Sequence, residues 1–92
     1  MATTVSCATM WIDHDKLGCG MRDFVVTQGR KWAHLIVVAT GEHARVPVNA
    51  VPAMLRRSRE LPLDKTRKRL RRNATTFGTM DNLIAETLDS MK

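Results

Sequence analysis

At 92 residues and a formal net charge of +6, the chain reads as one small domain, able to bury only about 60–65% of the surface its unfolded form exposes. Hydrophobic and charged fractions of 43% and 26% exclude a compositionally disordered tail, and two cysteines are too few for a disulfide-rich scaffold. No apolar stretch approaches the roughly 20 residues of a membrane-spanning helix.

The opening Met1-Ala2-Thr3-Thr4 lacks the basic start and apolar run of a signal peptide. Free thiols and a cytoplasmic setting are therefore expected.

Strand patterning fills the first half. Residues 5–12 form a first strand, and residues 13–20 a loop, because Gly18 and Gly20 interrupt regular structure. Residues 21–27 make a second strand. A turn over residues 28–31 follows, with Gly29 free to take positive φ. The run Trp32-Ala33-His34-Leu35-Ile36-Val37-Val38-Ala39 is the strongest strand, and its β-branched centre predicts burial on both faces. After a turn at residues 40–42, residues 43–48 form a fourth strand. Pro47 has no N–H to donate, so this strand belongs at a sheet edge. Four sequential strands with short turns predict an antiparallel meander, able to curl into an SH3-like half-barrel. The half-chain loosely resembles small SH3-type barrels, a likeness of meander and turns that implies no function.

Helical periodicity takes over from Asn49, which is placed to cap a helix carrying Val51, Met54, Leu55 and Ser58 on one side. Pro52 is tolerated in the first turn, and Pro62 stops this helix and opens the next. At 100° per residue Leu63, Thr66, Leu70 and Ala74 share a face that Phe77 extends. Lys65, Lys68, Arg69 and Arg72 fall opposite, with Arg67 and Arg71 at the flanks. Gly78 ends the segment. Thr79 is a good cap for a last helix, with Asp81 favourable in its first turn. Met80, Leu83, Ile84, Leu88 and Met91 line that helix's apolar side, and Asn82, Glu86 and Asp89 its outer one. The fold class is α+β: a single domain over 1–92, with a meander in 1–48 and two or three amphipathic helices in 49–92.

Charge distribution carries the functional expectation. Residues 51–72 hold nine cations against Glu60 and Asp64, net +7, whereas the segments on either side are close to neutral or acidic. A field so concentrated attracts polyanions, nucleic acid above all. The plainer alternative is a solvated face that keeps the protein soluble. The candidate phosphate contacts are Arg56, Arg57, Arg59, Lys65, Arg67, Lys68, Arg69, Arg71 and Arg72, with Arg30 and Lys31 on the hairpin tip beside Trp32 as a second group. Only Trp11, Phe24, Trp32 and Phe77 are aromatic, so base stacking looks poorly supplied and sequence readout weak. A helix-turn-helix formed at Pro62 would lack the usual glycine turn.

An acidic protein surface is the alternative partner. On that reading the chain is a small regulator or inhibitor, of the kind carried by phages and mobile elements. Trp32 or Met54 would supply the hydrophobic centre and the arginines a steering rim.

Cys7, His14, Cys19, His34 and His43 lack the close pairing of a zinc site, so neither metal nor cofactor is expected. Asp13-His14-Asp15 has no nucleophile, phosphate loop or dinucleotide fingerprint to work with, so no enzyme is expected either. The two apolar helix stripes exceed what a four-stranded sheet covers, which favours a homodimer.

Overall fold

The computed structural model describes residues 4–91; residues 1–3 of the leader reading, and Lys92 of the charge count, lie outside them. The meander is present and larger than expected. Strands β1 (Thr4–His14), β2 (Gly18–Gln28), β3 (Trp32–Val37) and β4 (His43–Pro47) follow one another. A 3-10 turn (Val48–Ala50) and the short helix α1 (Val51–Leu55) lead to β5 (Arg59–Glu60). Helices α2 (Leu63–Thr76) and α3 (Asn82–Ser90) complete the chain. The sheet is antiparallel throughout, in the order β4-β3-β2-β1-β5, and Pro47 lies on its edge strand as expected.

Sheet alternation produces two cores. Met10, Ile12, Phe24, Val26, Leu35, Val37, Ala44 and Val46 point inward, with Val51 of α1 and Leu17 of the hairpin tip. Residues from β1 and β4 share this cluster although two strands lie between them, so the sheet is curled. On the outer face Cys7, Val25, Ile36 and Val38 lie beneath Leu70, Ala74, Ile84, Leu88 and Met91. Consecutive residues of β2 and β3 therefore serve opposite cores, which is the two-sided burial that a continuous β-branched run predicts.

Four boundaries differ from the sequence reading, each for a local reason. Residues 13–20 are not a loop: β1 and β2 pair through Asp13↔Cys19 and His14↔Gly18, and Gly18 and Gly20 take φ of 83° and 141° within the strand. Gly29 does not adopt positive φ.

Asn49 caps nothing, since it sits inside the 3-10 turn and α1 starts from Ala50. The helix stops at Leu55 rather than Pro62, because Ser58 folds back with both its N–H and its hydroxyl on the Leu55 carbonyl (3.1 and 2.7 Å). The chain then pairs Arg59 and Glu60 with the open edge of β1, and Leu61 N–H donates to the Cys7 carbonyl at 2.9 Å. A fifth strand between the helices rules out the helix-turn-helix arrangement and adds residues 59–60 to the sheet beside β1.

Asp81, not Thr79, caps α3. Its Oδ1 accepts from Ile84 N–H at 3.1 Å, a contact of the kind worth about 1 kcal/mol. Its Oδ2 meets His43 Nε2 of β4 at 2.8 Å, tying the helix to the sheet. Thr79 is occupied elsewhere: its hydroxyl donates to the Thr40 carbonyl at 2.6 Å and its N–H to the Ala74 carbonyl at 2.8 Å. That staple needs Gly41. With φ of 83°, a Cβ there would collide with Thr79 Oγ1 and crowd Ala74.

The apolar stripes that prompt the homodimer expectation are largely covered within one chain. Leu70, Ala74, Ile84, Leu88 and Met91 are buried, while Leu63, Phe77 and Met80 at the helix ends remain exposed. Leu63 and Phe77 share the inward angle of Leu70, but they open and cap α2 and stay exposed there.

Candidate nucleic-acid interface

Helix α2 crosses the outer face of the sheet obliquely, and three contacts fix its path. Thr66, 1% exposed, hydrogen-bonds the Cys7 thiol of β1. Arg69 Nη1 pairs with Asp23 Oδ2 of β2 at 2.8 Å, and Asn73 Nδ2 donates to the Val38 carbonyl at 2.8 Å. With the Thr66–Leu70–Ala74 side held down, Lys65, Lys68 and Arg72 are left exposed. Among the described residues, no carboxylate lies within ion-pair distance of these three side chains.

The remaining candidates separate. Arg71 and Arg67 face the α3 side of the helix. Arg71 lines a groove with Met80, Ala85, Leu88 and Asp89. Arg67 is half-buried, its Nε withdrawn from water without a hydrogen-bond partner. Arg56 and Arg57 are exposed after α1, and Arg59 on β5. Register places Arg59 opposite Thr9, so its side chain shares the outer face with Asp23 and Arg69. The segment 56–72 is therefore not one helical face but a helix side joined by an edge-strand arginine.

Arg30 and Lys31 are exposed in the β2–β3 turn, and the structure does not bring them to this patch. Between them lies α3, whose Glu86 borders a cleft with Trp32, His34, Val5 and Thr27. Trp32 is itself engaged, with the Arg45 guanidinium stacked 4.3 Å from its ring centre.

The sequence reading passed over Trp11. It pairs with Met21 across β1 and β2, and the two side chains are 55% and 60% exposed on the outer face. They lie one same-face step beyond Thr9 and Asp23, clear of α2. Alternation against buried Ala8, Met10 and Ile12 is the signal that would have singled Trp11 out, but apolar neighbours on both sides mask it.

Titratable groups serve the fold. The Thr9 hydroxyl, donating at 2.5 Å, and the Arg69 guanidinium hold the Asp23 carboxyl below the usual carboxylate range, against a smaller opposing effect of burial. His43, with the Ile84 N–H, does the same for Asp81. Burial lowers the pKa of His34, helped by His43 and Arg45. Burial also pushes the Cys7 thiol up to about 11, which suits a packing residue rather than a nucleophile. Both cysteines are free. Among the described residues no cluster of three or more His, Cys, Asp or Glu could hold a metal ion.

These shifts fix a sign. Around pH 6 and below, the unfolded chain binds a proton at His34 that the folded chain resists, so stability falls on acidification below about pH 6.5. The contributions of Asp23 and Asp81 are present above about pH 4 and are lost as pH drops through their lowered folded values. The melting midpoint should therefore be flat near pH 7–8 and decline stepwise toward about pH 3, as thermal circular dichroism across that range would show. A midpoint that rises on acidification contradicts these assignments.

No family model, curated protein or solved structure matches the chain significantly. Among the described residues no helix is long and apolar enough to cross a membrane.

Proposed function

We propose that the chain is a non-catalytic, cytoplasmic nucleic-acid-binding protein that grips phosphates with the outward side of α2. The observation that supports this most is the placement of Lys65, Lys68 and Arg72. They are exposed on one side of a helix whose other side is locked to the sheet, and no carboxylate among the described residues pairs with them. Arg69 and Arg59 extend the patch onto the sheet. Phosphate contacts of this kind fix position without reading bases, so binding is largely indifferent to sequence.

Neutralisation by α3 is partial. Its capping Asp81 turns to His43 rather than to α2, Glu86 borders the cleft with Trp32, and Asp89 shares a groove with Arg71, outside the Lys65–Lys68–Arg72 side. Tagged protein recovered from extract, with and without exhaustive nuclease treatment, tests the reading. Nucleic acid should co-purify, and bound proteins should be released by the nuclease. Proteins retained after complete digestion would favour an acidic protein surface as the partner instead.

A further inference from the structure

The two tryptophans of this chain differ in what surrounds them. Trp32 has one ring face taken by Arg45, and it borders the cleft beneath α3 and Glu86. Trp11 is 55% exposed beside an equally open Met21. Its strand neighbour on the same face, Thr9, lies between Arg59 on β5 and Asp23, whose carboxylate holds Arg69. Two residues along a strand advance about 7 Å, so the indole stands one same-face step from the position at which Arg59 of β5 and Arg69 of α2 meet the sheet.

We infer that Trp11 and Met21 form a base-stacking platform, and that the ligand of the proposed phosphate-binding face is single-stranded nucleic acid. This inference rests on that proposed function and specifies its substrate. A paired duplex keeps the faces of its bases inside the stack, so an exposed indole gains nothing from it. A single strand offers both a free base face and adjoining phosphates, which is the combination taken by an indole with Arg59 and Arg69 toward one side along its strand. The exposed carboxylate of Asp13 on the other side turns the backbone toward those cations. Arg69 keeps the ion pair with Asp23 on one edge and still has donors to spare, since a guanidinium carries five N–H groups. Trp32 is the poorer platform, because the Arg45 guanidinium already covers one face of its ring.

The test compares an oligo(dT) of about 12 nucleotides, within the usual site-size range of about 4–16, with a mixed-sequence duplex of similar length. Affinities come from fluorescence anisotropy at fixed low salt. Trp11→Ala should weaken oligo(dT) binding by about 5- to 150-fold, the worth of one stacked base. Duplex affinity and the salt dependence should stay unchanged. Trp11→Phe should restore most of the loss, and Trp32→Ala should alter neither ligand. Thermal melting of each variant reports whether the fold is retained; with 55% of the residue in solvent, the midpoint should hold.

If Trp11→Ala leaves oligo(dT) affinity within twofold of the parent while Lys65, Lys68 and Arg72 changed together to Gln abolish it, the stacking inference falls and the phosphate reading stands. An equal loss for duplex and single strand, or no rescue by Trp11→Phe, also overturns it. If the parent protein binds neither ligand at low salt, both readings fall together.

Discussion

Replacing Leu70 by alanine should destabilise the protein by about 2–5 kcal/mol, the range for emptying a fully buried leucine site. Leu70 is 0% exposed and sits in the outer core with Val25, Ile36, Ala74, Ile84 and Leu88. Alanine is at least as good a helix former, so the loss is one of packing and not of local propensity. In a domain of this length it corresponds to a fall in melting midpoint of roughly 8–40 °C.

Leu63→Ala is the matched comparison. The two leucines lie seven residues apart on the same angular face, but Leu63 is the first residue of α2 and is 43% exposed. Its loss should cost less than about 1 kcal/mol. Chemical denaturation of both variants measures the pair. Similar losses would mean that Leu63 is covered in solution, as it would be by a second copy of the chain.

That contrast also shows what patterning can and cannot convey. The spacing of Thr66, Leu70 and Ala74 against Lys65, Lys68 and Arg72 defined the buried side of α2, because helical geometry converts a four-residue repeat into a face. Nothing in the angle says where the sheet beneath ends, so Leu63 and Phe77 look equivalent to Leu70 in sequence and are not in space. The meander was legible from Leu35-Ile36-Val37-Val38 and from Pro47 at the edge.

Strand β5 was not legible. Arg59 and Glu60 carry no apolar alternation, and they pair because β1 has an open edge within reach of the turn made by Ser58. The candidate site suffered similarly. The charge run singles out α2, whereas Arg59 joins the candidate patch only through its register with Thr9. Trp11 stayed hidden because Met10 and Ile12, both apolar, flank it and obscure the alternation that exposes it.

Replacing Lys65, Lys68 and Arg72 together by glutamine should flatten the salt dependence of nucleic-acid binding. If Lys65, Lys68, Arg69, Arg72 and Arg59 each neutralise one phosphate of a duplex, log K falls with log salt at a slope near −4.5. Removing three contacts reduces that to about −1.8. Between about 50 and 200 mM salt the parent should then lose roughly 500-fold in affinity, and the variant only about 12-fold. The variant's affinity at low salt should fall equally for all sequences, since the lost contacts read no bases. Arg69 is retained in the variant because its loss would strip Asp23 of its cation and confuse binding with stability. Glutamine at three exposed helix positions keeps propensity close to that of lysine and arginine, so the melting midpoint should change little. Arg30 and Lys31 changed to glutamine provide the control. They lie across α3 from the patch, and their loss should leave the slope nearly unaltered. A slope that follows Arg30 and Lys31 instead would transfer the phosphate site to the β2–β3 turn, and a parent whose affinity ignores salt would remove it altogether.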